Sequence, residues 1–183
     1  MTTESTTPGE PTAPVSGDHT TDGVPHGYTS LTPFLVVEPA TAAIDFYCEV
    51  FGAKVLSRMS GASLPDGTPT VSHAELDFGR GILQLGDPME GNGLKPQDPS
   101  AVNGSICVYV RDVDAVVARA VEHGATIAEQ PSNFVSGDRF ASIMDPFARR
   151  WSVMTRVEDL SREESEARVN VWLEQFLAGG DTA

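Results

Sequence analysis

An α+β fold is what this sequence predicts: two tandem βαβββ modules forming a curved, barrel-like sheet pair around a groove, plus a C-terminal helix. Three observations carry that expectation. Apolar runs of strand length and stretches of helical periodicity occur in the order strand, helix, strand, strand, strand, and the order occurs twice. Gly52-Ala53-Lys54-Val55 answers to Gly124-Ala125-Thr126-Ile127 at an offset of 72 residues, and the same offset sets Pro33 against Ser105 and Ile44 against Val116 without a gap. The 183 residues are 40% hydrophobic, enough to bury a core.

Taken in order, residues 1–26 are Thr, Pro, Gly and acid with little to bury, and read as a disordered tail. The first module spans 27–90. Its opening strand is the run Phe34 to Val37, bounded by prolines. Ala40, Ile44, Tyr47 and Phe51 then stand at helical spacing, with Gly52 as the stop. KVLSRMS is a second strand, and VSHAELDF and ILQLGD form a hairpin across Gly79-Arg80-Gly81. Residues 91–103 are rich in Gly and Pro and suit a linker. The second module, 104–157, opens with the strand SICVYV. Asp112 has the character of an N-cap, and Val113, Val116, Val117, Ala120 and Val121 form a stripe that ends at Gly124. RFASIM and WSVMT follow as strands, joined by DPFARR. Over 158–180, Ser161 and Glu164 make a capping box ahead of a stripe of Val169, Trp172, Leu173, Phe176 and Leu177. Such a stripe calls for cover, from its own domain first and from a second subunit otherwise.

A net charge of −14 argues against nucleic acid and anionic membrane surfaces as partners, because both repel an acidic chain. No apolar run approaches the roughly 20 residues of a membrane-spanning helix, and the N-terminus lacks the pattern of a secretory signal. Cys48 and Cys107 lie far apart in apolar runs and read as buried thiols of a reducing compartment, which points to the cytoplasm.

The chemistry concentrates in VSHAELDFGRGILQLGD. His73 and Glu75 are two apart on one strand and so share a face. A two-residue turn at Gly79-Arg80 sets Glu75 opposite Gln84 and His73 opposite Gly86. Val71, His73, Glu75, Asp77 and Gln84 then line the groove, while Ser72, Ala74, Leu76 and Phe78 face the helix. The row is open to three readings: part of a metal site, an acid–base pair in which Glu75 has a raised pKa and His73 shuttles the proton, or polar lining held by hydrogen bonds. Arg139 is a candidate clamp for an anionic ligand group, with a salt bridge to Asp138, Asp145 or the acids of the linker as the alternative. By parity Ser152 and Met154 face the groove and Trp151 the core, while Met59 and Leu64 add apolar lining.

TPFLVV, AIDFYCEVFGAKVL, HAELDFG, VRDVDAVVARAVEHGA, GDRF and DPFARRWSV, in that order, resemble the vicinal oxygen chelate superfamily of glyoxalases, bleomycin-resistance proteins and extradiol dioxygenases over about residues 28 to 156. The likeness is strongest to its PhnB-like branch, which usually has DPFGHRW where this chain has Ala148 and Arg149. In metal-using members the resemblance implies four ligands on the first and last strand of each module. Carried over, these positions hold Thr32 or Pro33, Gln84, Ser105 and Ser152, of which only Gln84 can ligate, and poorly. The expectation is therefore a small-molecule binding protein of the sequestering or resistance type, without metal or other cofactor. Its ligand would touch His73, Glu75, Gln84, Ser105, Arg139, Ser152 and Met154. The alternatives are a metal-independent isomerase, lyase or cyclase using Glu75 and His73, and a metal-dependent lyase or dioxygenase. The resemblance further implies a homodimer.

Overall fold

The computed structural model describes residues 13–89, 91 and 93–179, so residues 1–12 of the expected tail and residue 180 of the expected last helix lie outside the described residues. The end of that tail is structured. β1 (Thr20–Thr21) and β2 (Val24–Pro25) pair antiparallel. They are joined by Asp22 and Gly23 at φ of 49° and 80°. Positive φ at both central residues is the geometry that Asp-Gly favours in a two-residue hairpin, and here it outweighs the polar composition.

The first module comprises β3 (Phe34–Val36), α1 (Ala40–Phe51), β4 (Lys54–Ser60), β5 (Val71–Asp77) and β6 (Ile82–Gly86). The second comprises β7 (Ser105–Tyr109), α2 (Val113–Glu122), β8 (Thr126–Phe134), β9 (Asp138–Met144) and β10 (Arg150–Arg156). The two four-stranded sheets have the same plan, β3-β6-β5-β4 and β7-β10-β9-β8. In each, the first strand runs parallel to the last and the other pairs are antiparallel. Both sheets keep free edges, so neither closes into a barrel.

One core joins the modules. Ala40, Ala43, Ile44, Tyr47 and Val50 of α1 and Val113, Val116, Val117 and Ala120 of α2 are buried in the same cluster as Leu76, Leu85, Ile143 and Trp151. Gly52, at φ 72°, ends α1 and returns its N–H to the Cys48 carbonyl, and Asp112 caps α2 by accepting from Ala115 N at 3.0 Å. Trp151 is 1% exposed, with its ring 5.2 Å from Tyr47 and 4.7 Å from Phe51. Burial of side chains this size contributes on the order of 2–3 kcal/mol each, with ring contacts adding about 1 kcal/mol.

Four expectations need correction. The gap-free offset of 72 does not hold through the modules. Leu35 and Ile106 both face the core, an offset of 71, while Ala43, Ile44 and Tyr47 correspond to Val116, Val117 and Ala120, an offset of 73. Val71 is buried rather than groove-facing, because the β4–β5 register shifts between Met59↔His73 and Ser60↔Val71, and the extra residue, Ser72, reverses the alternation. Cys48 is half-buried and Cys107 exposed, since β7 is an edge strand and Cys107 stands on its open side. Phe34, placed in a buried run, is 37% exposed beside Gln84 on β3, the edge strand of the first sheet.

The capping box forms as read: Ser161 N donates to Glu164 and Glu164 N to Ser161 Oγ, opening α3 (Arg162–Gly179). Ser165 Oγ donates to the Ser136 carbonyl and Trp172 lies edge-on to Phe134, yet Val171, Leu173, Phe176 and Leu177 remain exposed. The chain's own sheets cover only part of the stripe.

Candidate functional site

The side of the first sheet away from α1 carries a row that crosses all four strands. Register places Phe34 beside Gln84, Gln84 beside Glu75 and Glu75 beside Ser57. The tight turn sets the β5–β6 part of this, with Phe78 N donating to Gly81 O, so the pairing of Glu75 with Gln84 is as the sequence predicts.

Glu75 is the hub. Its Oε1 accepts from Tyr28 Oη at 2.5 Å and from Gln84 Nε2 at 3.1 Å, and its Oε2 accepts from Ser57 Oγ at 3.1 Å. His73 Nε2 stands 3.4 Å from Oε1, a contact at the long limit that becomes a hydrogen bond when Nε2 carries the proton. The imidazole stacks on Phe34 with ring centroids 5.7 Å apart and planes at 24°. The Glu75 side chain is 18% exposed and that of His73 28%, so the row is reachable from solvent.

These donors decide the electrostatics. The Tyr28 hydroxyl, then Gln84, His73 and Ser57, hold the Glu75 carboxyl below the ordinary glutamate value against the opposing effect of burial. The raised pKa expected for a general base is thus reversed. Tyr28 is pushed up by the same bond. Sequence reasoning missed both Tyr28 and Ser57. Tyr28 precedes β3, tied to the hairpin by Tyr28 N donating to Pro25 O, and its one sequence signal was an aromatic residue at the start of the ordered region. Ser57 was findable by carrying the cross-strand pairing one strand further.

The second sheet holds different chemistry at matching places. Ser105 and Ser152 hydroxyls hydrogen-bond each other at 2.8 Å, and Cys107 Sγ lies 3.2 Å from Met154 Sδ. Arg150 donates to Ser142 Oγ and pairs with Glu129. Arg139 stands on the α2 side and grips Asp114 with Nε and Nη2, at 2.5 and 2.6 Å, and Asn133 with Nη1. Its clamp is spent on the helix, and the partner is Asp114 rather than Asp138 or Asp145. Among the described residues no hydrogen bond or ring contact joins the His73–Glu75–Gln84 group to the Ser105–Ser152–Met154 group. Met59 and Leu64 are exposed, and Met59 pairs with His73 across β4 and β5.

Register also revises the positions the resemblance singled out. Thr32 and Pro33 precede the strand, and the Pro33 carbonyl receives Gln84 N. The residues beside Gln84 and Ser152 on the first strands are Phe34 and Cys107. A phenyl ring, an amide already donating to Glu75, one thiol and a hydroxyl do not fit a divalent metal. Among the described residues no three His, Cys, Asp or Glu side chains assemble as a ligand set.

Two βαβββ sheets of the same plan around one core define the class of protein by its architecture. The chain belongs to the Glyoxalase/Bleomycin resistance protein/Dioxygenase superfamily, whose family model matches residues 18–153. It is 34% identical over 145 residues to the uncharacterized protein Mb0911c of Mycobacterium bovis, covering 77% of this chain and 92% of that one. The fold is similar to that of TioX from Micromonospora sp. ML1, with a TM-score of 0.54 and 23% identity over 70% of this chain and 98% of that one. It is also similar to PA1353 of Pseudomonas aeruginosa, with a TM-score of 0.55 and 18% identity over 70% and 98%. No helix among the described residues is long and apolar enough to cross a membrane.

Proposed function

We propose that the protein binds a small amphipathic or aromatic molecule on the open face of the first sheet, with the ligand's hydrogen-bond donors or positive charge directed at Glu75. The observation that carries this is the Glu75 carboxyl itself, kept ionised by four side-chain donors and flanked by the flat Phe34–His73 stack. A donor on the ligand replaces one of the four, and the aromatic body packs on the stack. The test is calorimetric titration of a panel of arylalkylamines, protonated at neutral pH, each with its neutral N-acetyl counterpart. Glu75→Gln is expected to weaken the charged members by about tenfold or more and to leave the neutral ones unchanged. Equal loss for both, or none for either, removes Glu75 as the recognition group.

The 3.4 Å His73–Glu75 contact favours a second reading, proton transfer in an isomerase, lyase or cyclase. The lowered Glu75 pKa makes a weak base and counts against it. Turnover that vanishes in Glu75→Gln while binding survives would establish it. For the metal-dependent lyase or dioxygenase reading the donor set is wrong, and near-stoichiometric Zn, Ni, Fe or Mn in freshly purified protein would revive it. Sequestration of a drug or metabolite, membership of the PhnB-like branch, and a cytoplasmic setting in keeping with two free thiols complete the proposal. So does a homodimer using the exposed side of α3, which sedimentation of the whole chain decides.

A further inference from the structure

A cleft of about 700 Å³ lies between the β5–β6 turn and β7. It is bordered by Phe78, Ile106, Val108 and Trp151 and carries Arg80 and Arg111. Among the described residues no carboxylate lines it, although the chain has 26 acidic residues to 12 basic ones. Among the described residues Arg162, at the start of α3, is not committed to an acid, but four other arginines, Arg139, Arg150, Arg156 and Arg168, each pair with one. Arg80 and Arg111, by contrast, make no hydrogen bond or ion pair among the described residues. Two uncommitted guanidiniums beside aromatic and aliphatic walls, in a chain of net charge −14, form a local reversal of the molecule's field. We propose that this cleft is a second binding site, for a small organic anion with a flat apolar body, such as an aromatic carboxylate. The carboxylate meets the arginines, and the ring lies along Phe78, Val108 and the edge of Trp151. The site is distinct from the Glu75 row in both place and preferred charge: none of Tyr28, Ser57, His73, Glu75 or Gln84 lines it.

The experiment uses the full chain, with 2-naphthoate as probe and neutral 2-naphthamide as its control. Trp151 and Trp172 are the two tryptophans, and only Trp151 borders the cleft, so their indole N–H resonances report the place of binding. Trp172→Phe assigns them. Naphthoate is expected to shift the Trp151 indole and to bind at least about tenfold tighter than naphthamide. That advantage should disappear in Arg80→Gln/Arg111→Gln, whose unchanged melting temperature confirms folding, and should shrink with added salt. Equal affinity for the two probes, an undiminished response in the double variant, or a shift confined to Trp172 overturns the proposal. So does a dimer in which naphthoate moves neither resonance, which would make the cleft a contact between copies of the chain.

Discussion

Among the described residues Asp145 accepts four hydrogen bonds and Glu75 three, with His73 Nε2 as a fourth donor when it carries the proton, and the two carboxylates could hardly be used more differently. Asp145, 5% exposed, receives Tyr47 Oη and Trp151 Nε1, both at 2.9 Å, together with the N–H groups of Phe147 and Arg149 in its own turn. Two of its donors are backbone, and the other two are buried aromatic side chains. It fastens α1 to the β9–β10 turn and serves the fold. All the donors to Glu75 are side chains, drawn from the segment before β3 and from β4, β5 and β6, and they face solvent on one side. Such donors can turn toward a ligand; those around Asp145 have nowhere to go. Counting hydrogen bonds therefore does not separate a structural carboxylate from a functional one, whereas the origin and freedom of the donors does.

The largest expected effect comes from breaking the buried hub. Asp145→Ala leaves two aromatic donors and two backbone N–H groups without an acceptor in the interior and should cost about 3–5 kcal/mol in urea unfolding. Glu75→Gln, with water available to its donors, should cost about 1 kcal/mol at neutral pH. Similar losses for the two variants would erase the distinction.

Acid sharpens the contrast. The folded-state pKa of Glu75 lies below the ordinary glutamate value of 4.5. The stability its carboxylate contributes is therefore complete above that pH and lost as the pH falls through the folded value. The stability gap between the parent protein and Glu75→Gln should thus be constant from pH 7 to about 5 and close toward pH 3. A gap unchanged at pH 3 contradicts the assignment. Tyr28→Phe removes the largest of the donors, so the Glu75 carboxyl, followed by carbon-13 NMR, should titrate at a higher pH than in the parent.

The smallest effect lies in the Asp145 turn. Ala148 holds φ of 61°, a left-handed conformation that costs a side chain with a Cβ about 1 kcal/mol or more. Ala148→Gly relieves this at some cost in unfolded-chain entropy, for a net gain of about 0.5 kcal/mol read from the denaturation midpoint. A loss of stability instead would mean that the turn accommodates its alanine without strain.

The sequence by itself determined the order of elements from β3 to α3, the β5–β6 register, the caps at Asp112 and Ser161, and the shared face of His73, Glu75 and Gln84. Each of these is written in residues close together in the chain: a two-residue turn, a cap three positions from its donor, an alternation of period two. Only the tertiary structure decided what lay beyond that range. It brought Tyr28 across 47 positions onto Glu75 and turned Arg139 away from the open face to Asp114. It buried Val71 through an extra residue at Ser72, and it gathered Arg80 and Arg111 around one cleft. The reason is physical. Local patterns fix which side of its own strand a residue takes, but register shifts and the approach of separate elements fix what waits for it there, and at Glu75 that neighbour reversed the expected pKa.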